Sequence, residues 1–211
     1  MTDWSPITVQ GFDALAAAHS PHDGVSLGVL DRLPFKFESK TQYLLWRDSI
    51  AEGFGLDGKD IALVGSAATG RSLSADKQYA MFHSKSDVDV AVISTHHFDV
   101  SWRWFRRTNP NFLTGLDGKM RERFDAHRAH YVFEGVIATD YFLSYLPFGD
   151  EWQSAMQRTQ TLLPSGLQGR LMKVRIYRDY AALRQTQIAA MSAYKIYLTN
   201  NPENKAAQDG E

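Results

Sequence analysis

The chain contains no cysteine, so disulfides, thiolate metal sites and cysteine nucleophiles are excluded together. It also lacks an excess of either charge: 23 basic residues face 24 acidic ones, a formal net charge of −1. Without a global positive field, a large nonspecific footprint on DNA or RNA is not expected, although a local groove remains compatible with this balance. No apolar run approaches the roughly 18 to 20 residues needed to cross a bilayer. The start, Met1-Thr2-Asp3-Trp4, has neither the basic stretch nor the apolar core of a secretion signal. The expectation is a cytoplasmic protein without a membrane partner. At 211 residues and 44% hydrophobic content, it is large enough for one core.

Chemistry-bearing residues concentrate between positions 58 and 94. Ile61-Ala62-Leu63-Val64 is an apolar run that stops at Gly65-Ser66, which reads as a strand ending in a tight turn. Further on, Ser86-Asp87-Val88-Asp89-Val90-Ala91-Val92-Ile93 places two carboxylates at i and i+2 in a second apolar strand. Side chains alternate along a strand, so Asp87 and Asp89 share one face and Val88 and Val90 the other. Two carboxylates held together on a buried strand repel and favour a shared cation. Mg²⁺ suits them, since it binds one or two carboxylates and takes its other ligands from water and substrate phosphates. The competing reading of an Asp-x-Asp strand is a solvated edge. The apolar flank and the upstream Gly-Ser turn weigh against it.

An apolar-Gly-Ser turn, a helical stretch and then Ser-Asp-x-Asp-apolar resembles the signature of the polymerase-β-like nucleotidyltransferases. The resemblance covers roughly residues 58 to 94. It implies an α/β (α+β) fold, with a small mixed sheet flanked by several helices. It also implies a Mg²⁺ or Mn²⁺ cofactor held by Asp87 and Asp89 against a nucleoside triphosphate. Gly65, Ser66 and the following helix would receive the phosphates, with Ser86 beside the acidic pair. Arg71 is a candidate triphosphate clamp, its alternative being an exposed helix charge. The segment Leu73 to Lys85 is longer than many members carry between turn and acidic pair, and it is placed to cover or reshape the nucleotide pocket. Many members supply a third carboxylate from a third strand. The strand expected at Leu171 to Tyr177 has none, and Asp140 is the nearest alternative, equally readable as the N-cap of a helix beginning at Tyr141.

The implied activity is metal-dependent transfer of a nucleoside monophosphate from an NTP or dNTP to a protein, RNA or nucleotide acceptor. Arg175-Ile176-Tyr177-Arg178-Asp179-Tyr180 with Ala182-Leu183-Arg184 is similar to small nucleotidyltransferases of toxin–antitoxin and antiphage modules, which implies a cognate module partner. The alternative is a nucleotide-binding or antitoxin module of the same fold with little turnover. Three other motifs are set aside. His96 and His97 are adjacent and face different ways, which suits no zinc pair. Gly65-Ser66-Ala67-Ala68-Thr69-Gly70 lacks the Lys-Ser/Thr of a Walker-type phosphate loop. Trp102, Trp104 and Phe105 with their neighbouring arginines read as one amphipathic helix, base stacking being the competing use.

Along the chain, a single domain over 1–198 is expected. It begins with an irregular arm over 1–40 containing one short helix near Phe12 to Ala18. Helices are expected at 40–54, 66–73, 97–107, 116–133, 151–160 and 179–198, strands at 61–64, 87–94 and 171–177, and a disordered polar tail at 199–211.

Overall fold

The computed structural model describes residues 6–108 and 118–201. Among these it has eight α-helices and a four-stranded mixed sheet. The strands are β1 (Ile61–Val64), β2 (Val88–Ile93), β3 (Val136–Ala138) and β4 (Met172–Tyr177), in the order β1-β2-β4-β3. β2 pairs antiparallel with β1 and parallel with β4, and β3 closes the other edge antiparallel to β4. A parallel pair needs a crossover. The long segment between β2 and β4 supplies it, and β3 is laid down on the way.

The helices are α1 (Val9–Ala18), α2 (Pro21–Val25), α3 (Lys40–Phe54), α4 (Ser66–Thr69), α5 (Thr95–Arg107), α6 (Gly118–Ala126), α7 (Gly149–Arg158) and α8 (Tyr180–Asn200). Both sheet faces are covered, which is why β2 and β4 read as nearly continuous apolar runs. On one face Val88, Val90, Val92, Val174 and Ile176 join Trp46, Ile50 and Phe54 of α3, Phe105 of α5 and Trp152 of α7. On the other, Ala91, Ile93 and Tyr177 meet Phe12 of α1, Val25 of α2 and Leu183, Met191 and Tyr194 of α8. Among the described residues no helix is long and apolar enough to cross a membrane.

Local signals explain the long helices. Ser39 caps α3, accepting from the Gln42 N–H at 3.2 Å, and Tyr43, Trp46, Ile50 and Phe54 recur at helical spacing along its buried side. Gly55 ends it at φ 68°. Asp179 caps α8 by accepting from the Ala182 N–H at 2.8 Å. The helix expected over 116–133 is α6 followed by a π turn at His127–Tyr131, and residues 109–117 lie outside those described.

Three expectations need correction. Within the described part of the arm, 6–40, the short helix expected near Phe12 to Ala18 is α1, but α2 and a π turn at Ser26–Leu30 stand where irregular chain is expected, and they pack under α8. Its glycines serve close packing rather than turns, and a Cβ on Gly28 would stand 3.0 Å from the Phe12 ring. The helix expected over 66–73 is one turn, Ser66–Thr69, because Gly70 turns left-handed at φ 78°. The tail is expected over 199–211, but α8 continues through Thr199 and Asn200, and residues 202–211 lie outside those described.

Arg71 closes a buried network between the arm and this turn. Its guanidinium meets the Asp13 carboxylate at 3.1 Å and donates to the Tyr79 carbonyl at 3.0 Å, while the Tyr194 hydroxyl donates to the other Asp13 oxygen. The side chains of Arg71 and Asp13 are only 12% and 10% exposed, so removing one partner strands a buried charge. Arg71→Leu is therefore expected to lower stability by about 3 kcal/mol in urea denaturation. Adding Asp13→Leu should restore most of the loss, the signature of coupling between the two sites.

Candidate active site

The antiparallel register pairs Val64, the last residue of β1, with Asp89 of β2. Gly65 follows at φ 67° and ψ −161°, a conformation open essentially to glycine alone. A Cβ built on Gly65 would stand 2.5 Å from Oδ2 of Asp89, so the turn's backbone lies directly against the carboxylate. The glycine is thus required twice, by its dihedral angles and by the approach of Asp89. Ser66 starts α4 beside it, and Gly65, Ser66 and Asp89 line one cavity of about 350 Å³.

The cavity's remaining walls come from elements far apart in sequence. Ser72, Ser74 and Lys77 enter from the segment after α4, Arg175 and Tyr177 from β4, and Thr186, Gln187 and Ala190 from α8. A carboxylate, two cations and several hydroxyl and amide groups therefore converge on one concave space, which is the composition of a site for a polar, charged ligand.

Parity along the strands accounts for the charges. Asp89 pairs with Lys173 and Ala91 with Arg175, so both cations of β4 project on the same face as Asp89. Lys173 Nζ reaches Oδ2 of Asp87 at 2.6 Å, which brings Asp87 to that face as well. The bond to Asp87 leads in holding the Lys173 ammonium above its ordinary pKa. Burial raises the Asp89 carboxyl, and the charges of Lys77 and Arg175 pull the other way. Asp87 and Asp89 thus form an acidic pair on one side of the sheet with basic groups close by.

Of the sequence candidates, Gly65, Ser66 and Asp89 meet at the cavity, with Asp87 next to them. Arg71 is not at the cavity: it is bound to Asp13 and the Tyr79 carbonyl. Ser86 lies one step outside, its hydroxyl accepting from the His83 N–H at 3.0 Å and its carbonyl from Arg170 at 2.9 Å. Asp140 is exposed just beyond β3, and β4 stands between it and β2. Two strand spacings, about 9.6 Å, separate β3 from β2, and Lys173 sits in the gap. Asp140 is also no N-cap. The short 3₁₀ turn that follows is Leu143–Tyr145, preceded by Phe142. Its charge instead supports Lys173 and Arg175.

Asp87 and Asp89 are the residues that would hold a Mg²⁺ completed by water and ligand oxygens, and in this structure Lys173 is bonded to Asp87. Among the described residues no three His, Asp or Glu side chains gather as a metal cluster. His96 and His97 meet edge to face at 5.1 Å, and His97 packs against Phe148 and Trp152. Burial, then the neighbouring His96, pushes the half-buried His97 imidazole down to about 4. Trp104 and Phe105 pack onto Phe124 and Phe142, and the Arg106 guanidinium lies 4.6 Å from the Trp102 ring centre. The helix is amphipathic, with its aromatics against the core.

Lys77, Lys173 and Arg175 were not among the sequence candidates. Alternation in Met172-Lys173-Val174-Arg175-Ile176 separates the cations from the apolar face, but only the strand pairing reveals that they face Asp87 and Asp89. Comparison with protein-family models, curated proteins and solved structures gives no match.

Two outcomes follow. Gly65→Ala should cost about 1–3 kcal/mol from the backbone alone, with the clash added, and combining it with Asp89→Ala should recover the clash portion in thermal melts. Burial raises the Asp89 pKa above its unfolded value, so this residue's contribution to stability is full below that unfolded value and is lost as pH rises through the folded one. Asp89→Asn should therefore melt higher than the native chain at pH 7, and the gap should close near pH 3.

Proposed function

We propose that the chain is a metal-dependent nucleotidyltransferase of the polymerase-β-like type, with the cavity at Gly65, Ser66 and Asp89 as its nucleotide site. The observation that carries the reading is the packing of the positive-φ Gly65 turn directly against Asp89 at the start of β2. A close-approach backbone turn, the Ser66 hydroxyl and the Asp89 carboxylate line one space, with Asp87 on the same face of the sheet, a grouping that suits a nucleotide's phosphates. The strand order supports it too, since β2, which carries Asp89 and directly follows Asp87, lies between the turn-bearing β1 and the parallel β4.

In the proposed reaction an acceptor oxygen attacks the α-phosphorus in line. The new oxygen–phosphorus bond forms as the bond to the departing pyrophosphate breaks. Mg²⁺, when bound by Asp87 and Asp89, would supply charge neutralisation for the phosphoryl oxygens. The chain's own contribution is positioning: Gly65 lets the ligand approach the main chain, the Ser66 hydroxyl is available to bond a phosphate oxygen, and Arg175 offsets negative charge. α4 is a single turn and adds little dipole, so phosphate affinity rests on side chains here. The acceptor class is a protein, RNA or nucleotide, within a defence or toxin–antitoxin setting.

One observation favours a second reading, a nucleotide-binding module with little turnover. The strand beside the acidic pair offers Lys173 and Arg175 where a third carboxylate would serve acceptor activation, and Lys173 already occupies Asp87. An ammonium ion in that place can hold phosphate but cannot act as a base while protonated.

The deciding experiment incubates the purified protein with each labelled NTP and dNTP, with and without Mg²⁺ or Mn²⁺, and separates protein-bound, RNA-bound and free products. Metal-dependent transfer is expected, abolished by Asp87→Ala and by Asp89→Ala with no loss of melting temperature in the latter. A nucleotide-induced stabilisation of about 2.7 kcal/mol at roughly 100 times Kd, without transfer, selects the binding module. No transfer and no stabilisation by any nucleotide rejects both.

A further inference from the structure

The helix α5 packs on the sheet face opposite the cavity. Its Phe98 and Phe105 join Val88, Val90 and Val92 in the core, and alternation along β2 sends Asp89 to the other side. The outer surface of α5 is basic. Arg103, Arg106 and Arg107 are all exposed and stand at i, i+3 and i+4, so they form one ridge along the helix. A groove lies on each flank of that ridge: Arg106 and Arg128 line one of about 340 Å³ with Trp102, and Arg103 and Arg107 line the other, of about 460 Å³, with Trp104. Both tryptophans are half-buried. The Arg106 guanidinium lies 4.6 Å from the centre of the Trp102 ring, and Tyr145, itself 43% exposed, stacks on Trp104 at 6.2 Å. Phe133, directly after the groove-lining Val132, is 94% exposed. Through α5, α6 and the π turn that follows, seven Lys and Arg residues meet three Asp and Glu, in a chain whose net charge is −1. Positive charge is thus segregated onto this side. Among the described residues none of Arg103, Arg106, Arg107 and Arg128 has a carboxylate within ion-pair distance.

We propose that the arginine ridge of α5, with Arg128 beside it, is a docking surface for single-stranded RNA, separate from the cavity and independent of the reaction proposed there. Arginines with no carboxylate partner are free to bond phosphate oxygens, and the aromatic ring in each groove together with the exposed Phe133 offers flat apolar surface beside them. An unpaired nucleotide presents both matching features at once, a phosphate and a base with a free face. A duplex buries its base faces in its own stack, and RNA is recognised through unpaired bases laid on aromatic rings or arginine planes. An acidic protein would answer the charge and leave the exposed rings without a role. Four cations also set the size of the electrostatic part: releasing counterions from four phosphates of a single strand gives log K a slope of about −3 against log salt.

The test follows a fluorescently labelled, mixed-sequence single-stranded RNA by anisotropy across roughly 50 to 200 mM salt. The same strand as DNA, the RNA as a duplex, and labelled heparin, a polyanion without bases, are measured alongside. The native full chain is compared with the double variant Arg106→Gln/Arg128→Gln, with Phe133→Ala, and with Lys59→Gln, a control on an exposed lysine in the turn before β1. The native chain is expected to bind the single-stranded RNA more tightly than the duplex and at least as tightly as the DNA. The double variant should weaken RNA binding about tenfold or more and halve the salt slope to about −1.5. Phe133→Ala should weaken RNA binding about fivefold while leaving the salt slope and heparin binding at native values, because it removes a stacking surface and no charge. Lys59→Gln should bind as the native chain does, and all variants should melt like it, since every altered side chain is exposed. No RNA binding at the lowest salt, or native binding by the double variant, overturns the proposal. If Phe133→Ala leaves RNA binding unchanged, or the duplex is preferred, the ridge is a general anion-binding face and the RNA assignment is overturned. Tighter binding of the DNA strand overturns the choice of RNA.

Discussion

The contact between the Gly65 backbone and the Asp89 carboxylate is the constraint around which the rest of the molecule is arranged. It exists only if β1 and β2 pair in the observed register, and a slip of one residue would turn Asp89 toward the apolar face built by Val88, Val90 and Val92. The apolar residues on both faces of β2 therefore act as the device that aims the carboxylate. Burial in turn makes Asp89 a costly anion. Lys77 and Arg175 reduce that cost, and a bound cation would reduce it further. Stability of the strand and readiness of the site to accept charge are two aspects of one packing arrangement.

A second layer of organisation holds the site from outside. Arg71, a clamp candidate or exposed helix charge by sequence, and Arg170 are both structural ties. One joins α1 to the loop between α4 and β2 through Asp13 and the Tyr79 carbonyl. The other gathers the carbonyls of His83, Ser84 and Ser86 at the loop's end, satisfying acceptors that the irregular backbone cannot pair within a sheet. Arginine suits both tasks because its planar fork offers several donors in fixed directions. The cavity wall is thereby attached to α8 and the core rather than hung from a free loop.

How much of this could be read from the sequence depended on whether the deciding interaction was local. The strands at Ile61–Val64 and Met172–Tyr177, the helix from Lys40 and the same-face placement of Asp87 and Asp89 follow from periodicity and caps, which are local. The helical arm did not, because Gly11, Gly24 and Gly28 look like turn residues until Phe12 and Met191 are brought against two of them. β3 is three residues long and is set by its pairing with β4 rather than by propensity. Arg71 was misplaced for a similar reason: its spacing from Ser66 suits a helix facing phosphate, but Gly70 ends that helix and Asp13, far away in sequence, takes the guanidinium. The cations facing the acidic pair were hidden because strand order and register are long-range properties.

The edges of the sheet carry a consequence for how this molecule can be recognised. β1 has four residues and β3 three, so neither edge offers the row of free main-chain groups on which an extended peptide could build another strand. Recognition by strand addition is thereby disfavoured from both sides. A macromolecular acceptor would have to read the protein through side chains on its helices and loops, leaving its specificity open to change by point substitutions on a surface that the sheet does not constrain.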